Sequence, residues 1–283
     1  MTYISTVLID KVSKGPSEST KEGLRVTRDN VIYLLGSNYE VFLQGSYKND
    51  TAIYDINDID IVALCVNNIP KNWGNIYHDI VNKISSVPQY QGKVSKGNKC
   101  VKLILANKNI DIVPSIRSSD YIKFRNSFNE PIQIFNRANN QIVDNYPKTH
   151  YANGTNKNQV TNGNYKKCVR MLKNLINNHN KKDIAPSFYL ECLVYSYTED
   201  SLTGDLVGRF YWILNHICYG SDFNYQFTTV AGDKQVLQDT EWSLEKFNSF
   251  KLFLQKNINN LSSAINATTQ SNADLYFRKF FNL

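Results

Sequence analysis

Three aspartates in apolar surroundings are the residues of this chain whose spacing points most clearly to chemistry. Asp58 and Asp60 lie two positions apart at the start of an apolar run, and Asp111 lies between two isoleucines. Because side chains alternate between the faces of a β-strand, the carboxylates of Asp58 and Asp60 should project from one face. Carboxylates on adjacent strands repel one another unless a cation lies among them, and their hard oxygens suit Mg²⁺ or Mn²⁺. The pattern therefore predicts a metal site at these three residues.

A Gly-Ser step lies shortly before these acids. Gly45 and Ser46 follow a predicted strand that ends at Gln44, and they precede a predicted helix start. Glycine allows close backbone approach, and backbone N–H groups with a hydroxyl can bind an anion. An anion site followed by paired aspartates is typical of nucleotidyltransferases, in which two ions about 3.5–4 Å apart bridge the attacking hydroxyl and the triphosphate. A simple turn and an ordinary solvent-facing strand are the alternative, but the three features together favour catalysis.

These residues resemble the bacterial CD-NTases, the cyclic-oligonucleotide synthases of anti-phage CBASS operons, which are relatives of animal cyclic GMP-AMP synthase and oligoadenylate synthase. The matching elements are residues 44–47, residues 51–53, the Asp-x-Asp strand, the Val-Pro pair that follows Asp111, and the segments 165–173 and 185–193. They spread over residues 41–195, about half of the chain. Gly-Ser with Asp-x-Asp is common to all polymerase-β-like nucleotidyltransferases, whereas the Val-Pro pair and the Ser-aromatic-x-Leu-Glu element narrow the resemblance to this branch.

The resemblance implies a fold and a set of roles. The fold class implied is α+β, a polymerase-β-like nucleotidyltransferase core of mixed sheet and helices, followed by a C-terminal α-helical domain. Asp58, Asp60 and Asp111 would be the catalytic metal ligands, with Asp111 near the attacking hydroxyl. The nucleotide-binding residues would be Gln44, Gly45, Ser46, Lys173, Ser187 and Phe188. Phe188 would stack on a nucleobase where relatives commonly have Tyr. The zinc ribbon of the animal synthase has no counterpart here, so DNA sensing of that type is not expected.

The helical positions among these residues allow other interpretations. Lys166, Arg170 and Lys173 recur on one face of a predicted helix, which is equally typical of a solvated charged face. Ser187 follows a proline at a helix start and would serve equally as a cap. Phe188 would fit equally in a hydrophobic core.

Hydrophobic periodicity and turn signals give a coarse organisation. We predict a nucleotidyltransferase core with an N-terminal helix over residues 1–155 and an α-helical domain that closes the nucleotide cleft over residues 156–283, joined by the Asn-rich stretch 153–164 as linker. Predicted strands cover residues 39–44, 59–66, 101–105 and 110–113, the last two as a hairpin that brings Asp111 beside the Asp-x-Asp strand. Predicted helices cover residues 20–35 (capped by Ser19 or Thr20), 70–86, 165–178, 206–217 and 244–265. The aromatic segment 275–281 is predicted to dock into the helical domain.

Composition limits the protein class. A chain of 283 residues with 42% hydrophobic residues can form one large or two modest domains, and its net charge of +7 suits polyanionic ligands. No apolar run approaches the ~18 residues of a membrane span, and no signal pattern opens the chain, so we expect a cytoplasmic protein without membrane contact. The five cysteines lie far apart and should be reduced, buried thiols.

The predicted function is an Mg²⁺- or Mn²⁺-dependent enzyme that joins nucleoside triphosphates into a cyclic di- or trinucleotide second messenger. ATP, GTP or both are the expected substrates, with UTP as a further candidate. The resemblance adds an activating ligand or regulatory protein, and an effector that responds to the product. Alternatives are an RNA-tailing or protein-nucleotidylating transferase, although no dense basic track for RNA is visible, and a non-catalytic nucleotide- or RNA-sensing module. A sensing module has no need to keep three mutually repelling carboxylates together.

Overall fold

The computed structural model of the chain describes residues 2–54, 58–66, 72–106, 108–118, 130–238 and 242–283. The chain forms two compact units. One comprises Pro16–Asn49 with Asp55–Tyr151, and we call it the sheet unit. The other comprises Met1–Gly15, Asp50–Tyr54 and Ala152–Leu283, and we call it the helical unit. One unit contains a mixed sheet with helices, and the other is built of helices. This arrangement confirms the predicted α+β class.

The sheet unit is built on seven described strands. They are β1 (Tyr39–Gln44), β2 (Asp58–Cys65), β3 (Val94–Lys96), β4 (Val101–Leu105), β5 (Lys108–Arg117), β6 (Ile132–Asn136) and β7 (Gln141–Asn145). The order is β1-β2-β5-β4-β3, with β6 paired to β5 and β7 paired to β6. The pair of β2 and β5 is parallel, and the other described pairs are antiparallel. The predicted hairpin of β4 and β5 beside β2 is therefore confirmed.

The described residues form eleven α-helices, five of which correspond to the predicted helical segments. They are α1 (Thr6–Ser13), α2 (Glu18–Leu35), α3 (Gly45–Lys48), α4 (Trp73–Ser85), α5 (Pro147–Val160), α6 (Asn164–Asn178), α7 (Ser187–Tyr195), α8 (Glu199–Leu202), α9 (Leu206–Tyr219), α10 (Leu244–Asn266) and α11 (Gln270–Phe281). The predicted cap of α2 was wrong, since Ser17 accepts the backbone N–H of Thr20 at 3.2 Å. The first residues predicted for α4, 70 and 71, lie outside the described part of the chain.

Alternation along β2 separates the core from the acidic face. Ile59 and Ile61 are buried in a cluster with apolar residues of α2 and α4. Val62 and Leu64 are buried in a second cluster with Val113 of β5. Because Asp58 and Asp60 share their face with the second set, the carboxylates project away from the face that α2 and α4 cover.

The helical unit has one apolar core, which contains seven residues of α6 between Tyr165 and Ile176. Its last helix, α11, buries Phe277, Phe280 and Phe281 in that core, so the predicted docking of the C-terminal segment is confirmed.

The predicted linker was wrong. Residues 147–160 form the helix α5, the boundary expected at 155/156 falls inside it, and only a short turn separates it from α6. The polar side chains of α5 have tertiary partners: Asn153 donates to the carbonyl of Val230 at 2.9 Å, and the amide oxygen of Asn158 accepts the backbone N–H of Lys166 at 3.1 Å. These contacts stabilise a helix that composition alone would not favour.

The cysteines are free thiols, as predicted, with Cys65 half-buried and the other four buried. Within the described residues, no helix combines the length and the apolar character that crossing a bilayer requires.

Candidate active site

The parallel register of β2 and β5 sets two of the three predicted aspartates side by side. Asp60 is the partner of Asp111, and Asp58 is the partner of Asn109. Partnered residues of neighbouring strands project from the same face, so the carboxylates of Asp60 and Asp111 stand next to each other. Both are half-buried, whereas Asp58 at the strand end is exposed. The sequence predicted that all three acids lie on adjacent strands. The structure shows that Asp60 and Asp111 are the two in register.

Gly45 lies directly against this pair. It follows β1 at the first position of α3, and its φ of +70° is in the left-handed region that favours glycine. A Cβ at this position would lie 2.0 Å from the Oδ2 atom of Asp60. Only glycine therefore allows the backbone of the Gly-Ser step to approach the carboxylate this closely. Ser46 is the next residue of α3 and is half-buried.

Gln44 completes the edge of this site. In the antiparallel register of β1 and β2 it is the partner of Asp60, so its side chain lies on the carboxylate face. Its amide oxygen lies 3.4 Å from the Nδ2 atom of Asn145 in β7. The strand register thus brings Gln44, Gly45, Asp60 and Asp111 together.

Sequence reasoning missed three neighbours of the aspartates. Asn109 donates to the carboxylate of Asp58 at 2.8 Å. Lys102 of β4 is the register partner of Asp111. The Cys100 thiol lies beside Asp111, and its pKa is raised to about 12, first by burial and then by that carboxylate. Asn109 could have been found from the sequence, because it lies two positions before Asp111 and so shares its face of the strand. Lys102 and Cys100 could not, because their places depend on a hairpin register that composition does not reveal.

The donor set of this face fits a hard divalent cation. Asp60 and Asp111 offer carboxylate oxygens from one face of two paired strands, which are ligands that Mg²⁺ prefers. Among the described residues, no three His, Cys, Asp or Glu side chains form a ready metal-binding group. The carboxylate of Asp58 is hydrogen-bonded to Asn109. The roles of the three aspartates as metal ligands stay predictions.

Lys173 lies in the interior of the helical unit. Its ammonium group donates to the carbonyl and the hydroxyl of Thr51 at 3.2 and 3.1 Å, and it lies 3.4 Å from the carboxylate of Glu191. The Thr51 hydroxyl in turn donates to Glu191 at 2.8 Å. Burial lowers the pKa of Lys173, and the Glu191 carboxylate opposes that shift. The expected contact of Lys173 with a triphosphate stays a prediction.

The helical face that carries Lys173 is not a solvated one. Lys166, Arg170 and Lys173 are each only 6–7% exposed. Arg170 donates to the backbone carbonyls of Ser13 and Asp50. The alternative of a solvated charged face was therefore wrong, because α6 is surrounded by other parts of its unit. Two of these side chains hold the segment Asp50–Tyr54, which lies between Ser46 and Asp58 in the sequence.

Ser187 and Phe188 begin α7 and are both exposed. Pro186 occupies the cap position and Ser187 is the first helical residue, so the capping role considered for Ser187 was wrong. Phe188 is 44% exposed, which excludes the alternative of a core residue. Its ring meets that of Tyr189 edge-on, with centroids 5.1 Å apart. An exposed ring at a helix start is compatible with base stacking, and both nucleotide-binding roles stay predictions.

Comparisons with known proteins show what this chain is similar to. Residues 152–259 match the family model of the cGAS/DncV-like nucleotidyltransferase C-terminal helical domain. The cyclic UMP-AMP synthase of Rhodothermus marinus is 30% identical over 264 residues, which are 84% of this chain and 90% of that protein. A cyclic dipyrimidine nucleotide synthase of Legionella pneumophila is 26% identical over 217 residues, with 67% of this chain and 73% of that protein covered. A structure of the Rhodothermus synthase with Apcpp and Upnpp has a TM-score of 0.72 at 25% identity, over 89% of this chain and 96% of that one.

Proposed function

The chain belongs to the bacterial CD-NTases, a family of nucleotidyltransferases, and we propose that it converts nucleoside triphosphates into a cyclic di- or trinucleotide. The observation that carries this proposal is the registered pair of Asp60 and Asp111 with the backbone of Gly45 against Asp60. The relative covered over 90% of its length is a cyclic UMP-AMP synthase, which supports ATP and UTP as the first substrates to test, followed by GTP.

The chemistry proposed is nucleotidyl transfer between two bound nucleotides. A 2′- or 3′-hydroxyl of the acceptor gives its proton to the Asp111 carboxylate, its oxygen forms a bond to the α-phosphorus of the donor, and the bond to pyrophosphate breaks. For a cyclic dinucleotide, a second transfer of the same kind closes the ring and releases a second pyrophosphate; a cyclic trinucleotide needs three transfers and releases three. The Gly45 backbone and the Ser46 hydroxyl hold the donor phosphates, because their N–H and O–H groups suit phosphate oxygens.

The metal ligands in this proposal are Asp58, Asp60 and Asp111, with Asp58 at the end of its strand. A bound Mg²⁺ or Mn²⁺ would neutralise phosphate charge and favour deprotonation of the attacking hydroxyl. The chain's own contribution is to hold the carboxylates at fixed register and to keep position 45 free of a side chain. Asn109 orients the Asp58 carboxylate through the hydrogen bond described above.

The biological role proposed is second-messenger synthesis in anti-phage CBASS signalling, with an effector that responds to the product. Membership of the CD-NTases supports this role. Co-expression of the chain with its neighbouring genes, in wild-type form and as Asp60→Asn, tests it by plaque counts after phage challenge. Protection that requires Asp60 is expected, and equal plaque counts for the two forms would reject the role.

Product analysis tests the proposed reaction. Purified protein is incubated with each labelled triphosphate, singly and mixed, in Mg²⁺, in Mn²⁺ and in excess EDTA. A cyclic product resists phosphatase and forms only with the metal. A product with phosphatase-sensitive ends would instead indicate a linear oligomer or a tailing activity.

A further inference from the structure

We propose that a cavity along the outer edge of β1 binds a small organic anion, a carboxylate, phosphate or sulfonate carried on an apolar body. The cavity has a volume of about 400 Å³ and lies within the sheet unit, between residues of α2, β1, α3 and the start of α5. That volume lies in the range of roughly 300–1,000 Å³ that is typical of small-molecule sites. Its lining, taken over the described residues, includes none of the three aspartates and neither Gly45 nor Ser46.

The open edge of the sheet forms one wall of this cavity. Four consecutive residues of β1, 40–43, line it. Since their side chains alternate between the two faces of the strand, a cavity that touches all four must follow the backbone edge. In the described sheet β1 pairs with β2 alone, so its outward N–H and C=O groups lie along this edge. Such groups offer hydrogen bonds to a ligand.

The charge of the lining favours an anion. Three cationic side chains, Arg28, Lys48 and Lys148, line the cavity against one carboxylate, Glu40. Glu40 already accepts a hydrogen bond from Arg117 at 2.9 Å. The lining therefore carries more cationic than anionic side chains, and charge-assisted hydrogen bonds are the stronger kind.

Lys48 is the cation best placed to receive the anionic group. Arg28 and Lys148 have carboxylate partners in Asp29 and Glu130. In the described part of the chain, by contrast, Lys48 makes no ion pair, and its ammonium lies 4.2 Å from the centroid of the Tyr151 ring. An ammonium held over an aromatic face can still donate hydrogen bonds to an anion from its other side.

The rest of the lining calls for an apolar body on that anion. Ile32 is 37% exposed, and Val41, Phe42 and Leu43 are half-buried at the cavity wall. A bare inorganic anion would leave this surface in contact with water, whereas an apolar group would cover it. Charge and apolar wall together select an organic anion over an inorganic anion or a neutral molecule.

A binding experiment on the full chain tests this site without any use of catalysis, so it can fail independently of the proposed function. The probe is 2-naphthoate, the neutral comparison is 2-naphthamide, and binding is followed by ligand-observed NMR and calorimetry. We expect saturable binding of the carboxylate, with the amide weaker by about tenfold for want of the charge-assisted contacts. Equal affinity for the two probes, or no binding of naphthoate in the millimolar range, would overturn the proposal.

Two matched pairs of variants locate the probe. Ile32→Trp fills the cavity and should abolish binding, whereas Val26→Trp, at a 53% exposed position of the same helix, should leave it intact. Lys48→Gln should weaken binding of naphthoate but not of naphthamide, and Lys93→Gln on the exposed surface should change neither. If Ile32→Trp fails to fold, the comparison of the two lysine variants still tests whether the probe binds in this cavity. Unchanged binding by the cavity variants, or displacement of the probe by a non-hydrolysable ATP analogue, would contradict a separate site.

Discussion

The carboxylate of Asp60 occupies the space that a side chain at position 45 would need. A Cβ on Gly45 would lie 2.0 Å from the Oδ2 atom of Asp60, and 3.2 Å from its Cβ. We propose that the two residues also act together, because Gly45 presents its backbone to the donor phosphates and Asp60 presents its carboxylate to the metal. Glycine at position 45 allows its backbone to lie close to the Asp60 carboxylate.

Gly45→Ala should therefore lower nucleotidyl transfer on the order of a hundredfold, as misplacement of reacting groups by about 1 Å can do. Gly92→Ala is the matched control, since Gly92 has a φ of +72° against +70° at Gly45 but no atom within 4 Å of its Cβ position. Both variants should lose about 1 kcal/mol of unfolding free energy from the positive φ. Initial rates and urea unfolding measure the two effects, and equal activity in both variants would exclude a special role for the Gly45–Asp60 contact.

Asn109→Ala should weaken the response to metal. Its amide holds the exposed Asp58 carboxylate at 2.8 Å, and loss of such a supporting contact typically costs roughly tenfold or more in metal affinity or activity. Mg²⁺ titration of the initial rate should show a higher half-saturating concentration. Asn139→Ala, in an exposed turn, serves as the control. A Mg²⁺ curve that coincides with the wild-type curve would argue against Asp58 as a ligand oriented by Asn109.

Lys173→Met should destabilise the protein by about 3–5 kcal/mol, because it removes the Lys173 ammonium from the buried Glu191 carboxylate. The double variant Lys173→Met/Glu191→Leu should recover most of that loss in urea unfolding. The exposed pair of Lys14 and Asp10 is the comparison, and Lys14→Met should cost less than about 1 kcal/mol.

The same double variant separates stability from substrate binding at Lys173. If Lys173 also contacts the triphosphate, the KM for nucleotide stays raised after stability is restored. A Lys173→Met protein as stable as the wild type would contradict the buried ion pair.

Stability should fall in alkaline solution through the buried thiols, and Cys168 isolates the effect. Burial raises its pKa from the ordinary 9.0 to about 12. The unfolded chain releases this proton first, so the contribution of Cys168 is complete below pH 9 and is lost between pH 9 and 12. Unfolding free energy measured across that range should fall less steeply for Cys168→Ala than for the wild type. Parallel curves would show that the thiol does not titrate as described.

The candidate site was predictable to the extent that it depends on strand alternation. Alternation along residues 58–65 and the turn before Asp111 predicted adjacent strands, and β1 was predicted at its observed bounds. The pairing of Asp60 rather than Asp58 with Asp111 depends on hydrogen-bond register, which short apolar strands do not specify from sequence.

The helical unit shows why the remainder was out of reach. The stretch around Asn153 and Asn158 has the composition of a linker, yet it is a helix because its side chains find partners far along the chain. Lys166, Arg170 and Lys173 have the spacing of an exposed face, yet they are buried where Thr51 and Glu191 satisfy Lys173. Contacts between residues distant in sequence determine both the helical state of the first segment and the burial of the three basic side chains. The local sequence pattern does not reveal such contacts.

The central claim, that the paired carboxylates carry the synthesis of a cyclic nucleotide, is tested most directly by one substitution. Wild type, Asp60→Asn and the control Asp144→Asn, on the exposed strand β7, are incubated with labelled ATP, UTP and GTP in Mg²⁺, and phosphatase-resistant product is quantified. Wild type and Asp144→Asn should form the product at equal rates, and Asp60→Asn should be slower by at least about a hundredfold, since the lost charge acts at the reacting phosphate. Formation of the product by Asp60→Asn at the wild-type rate would contradict the account.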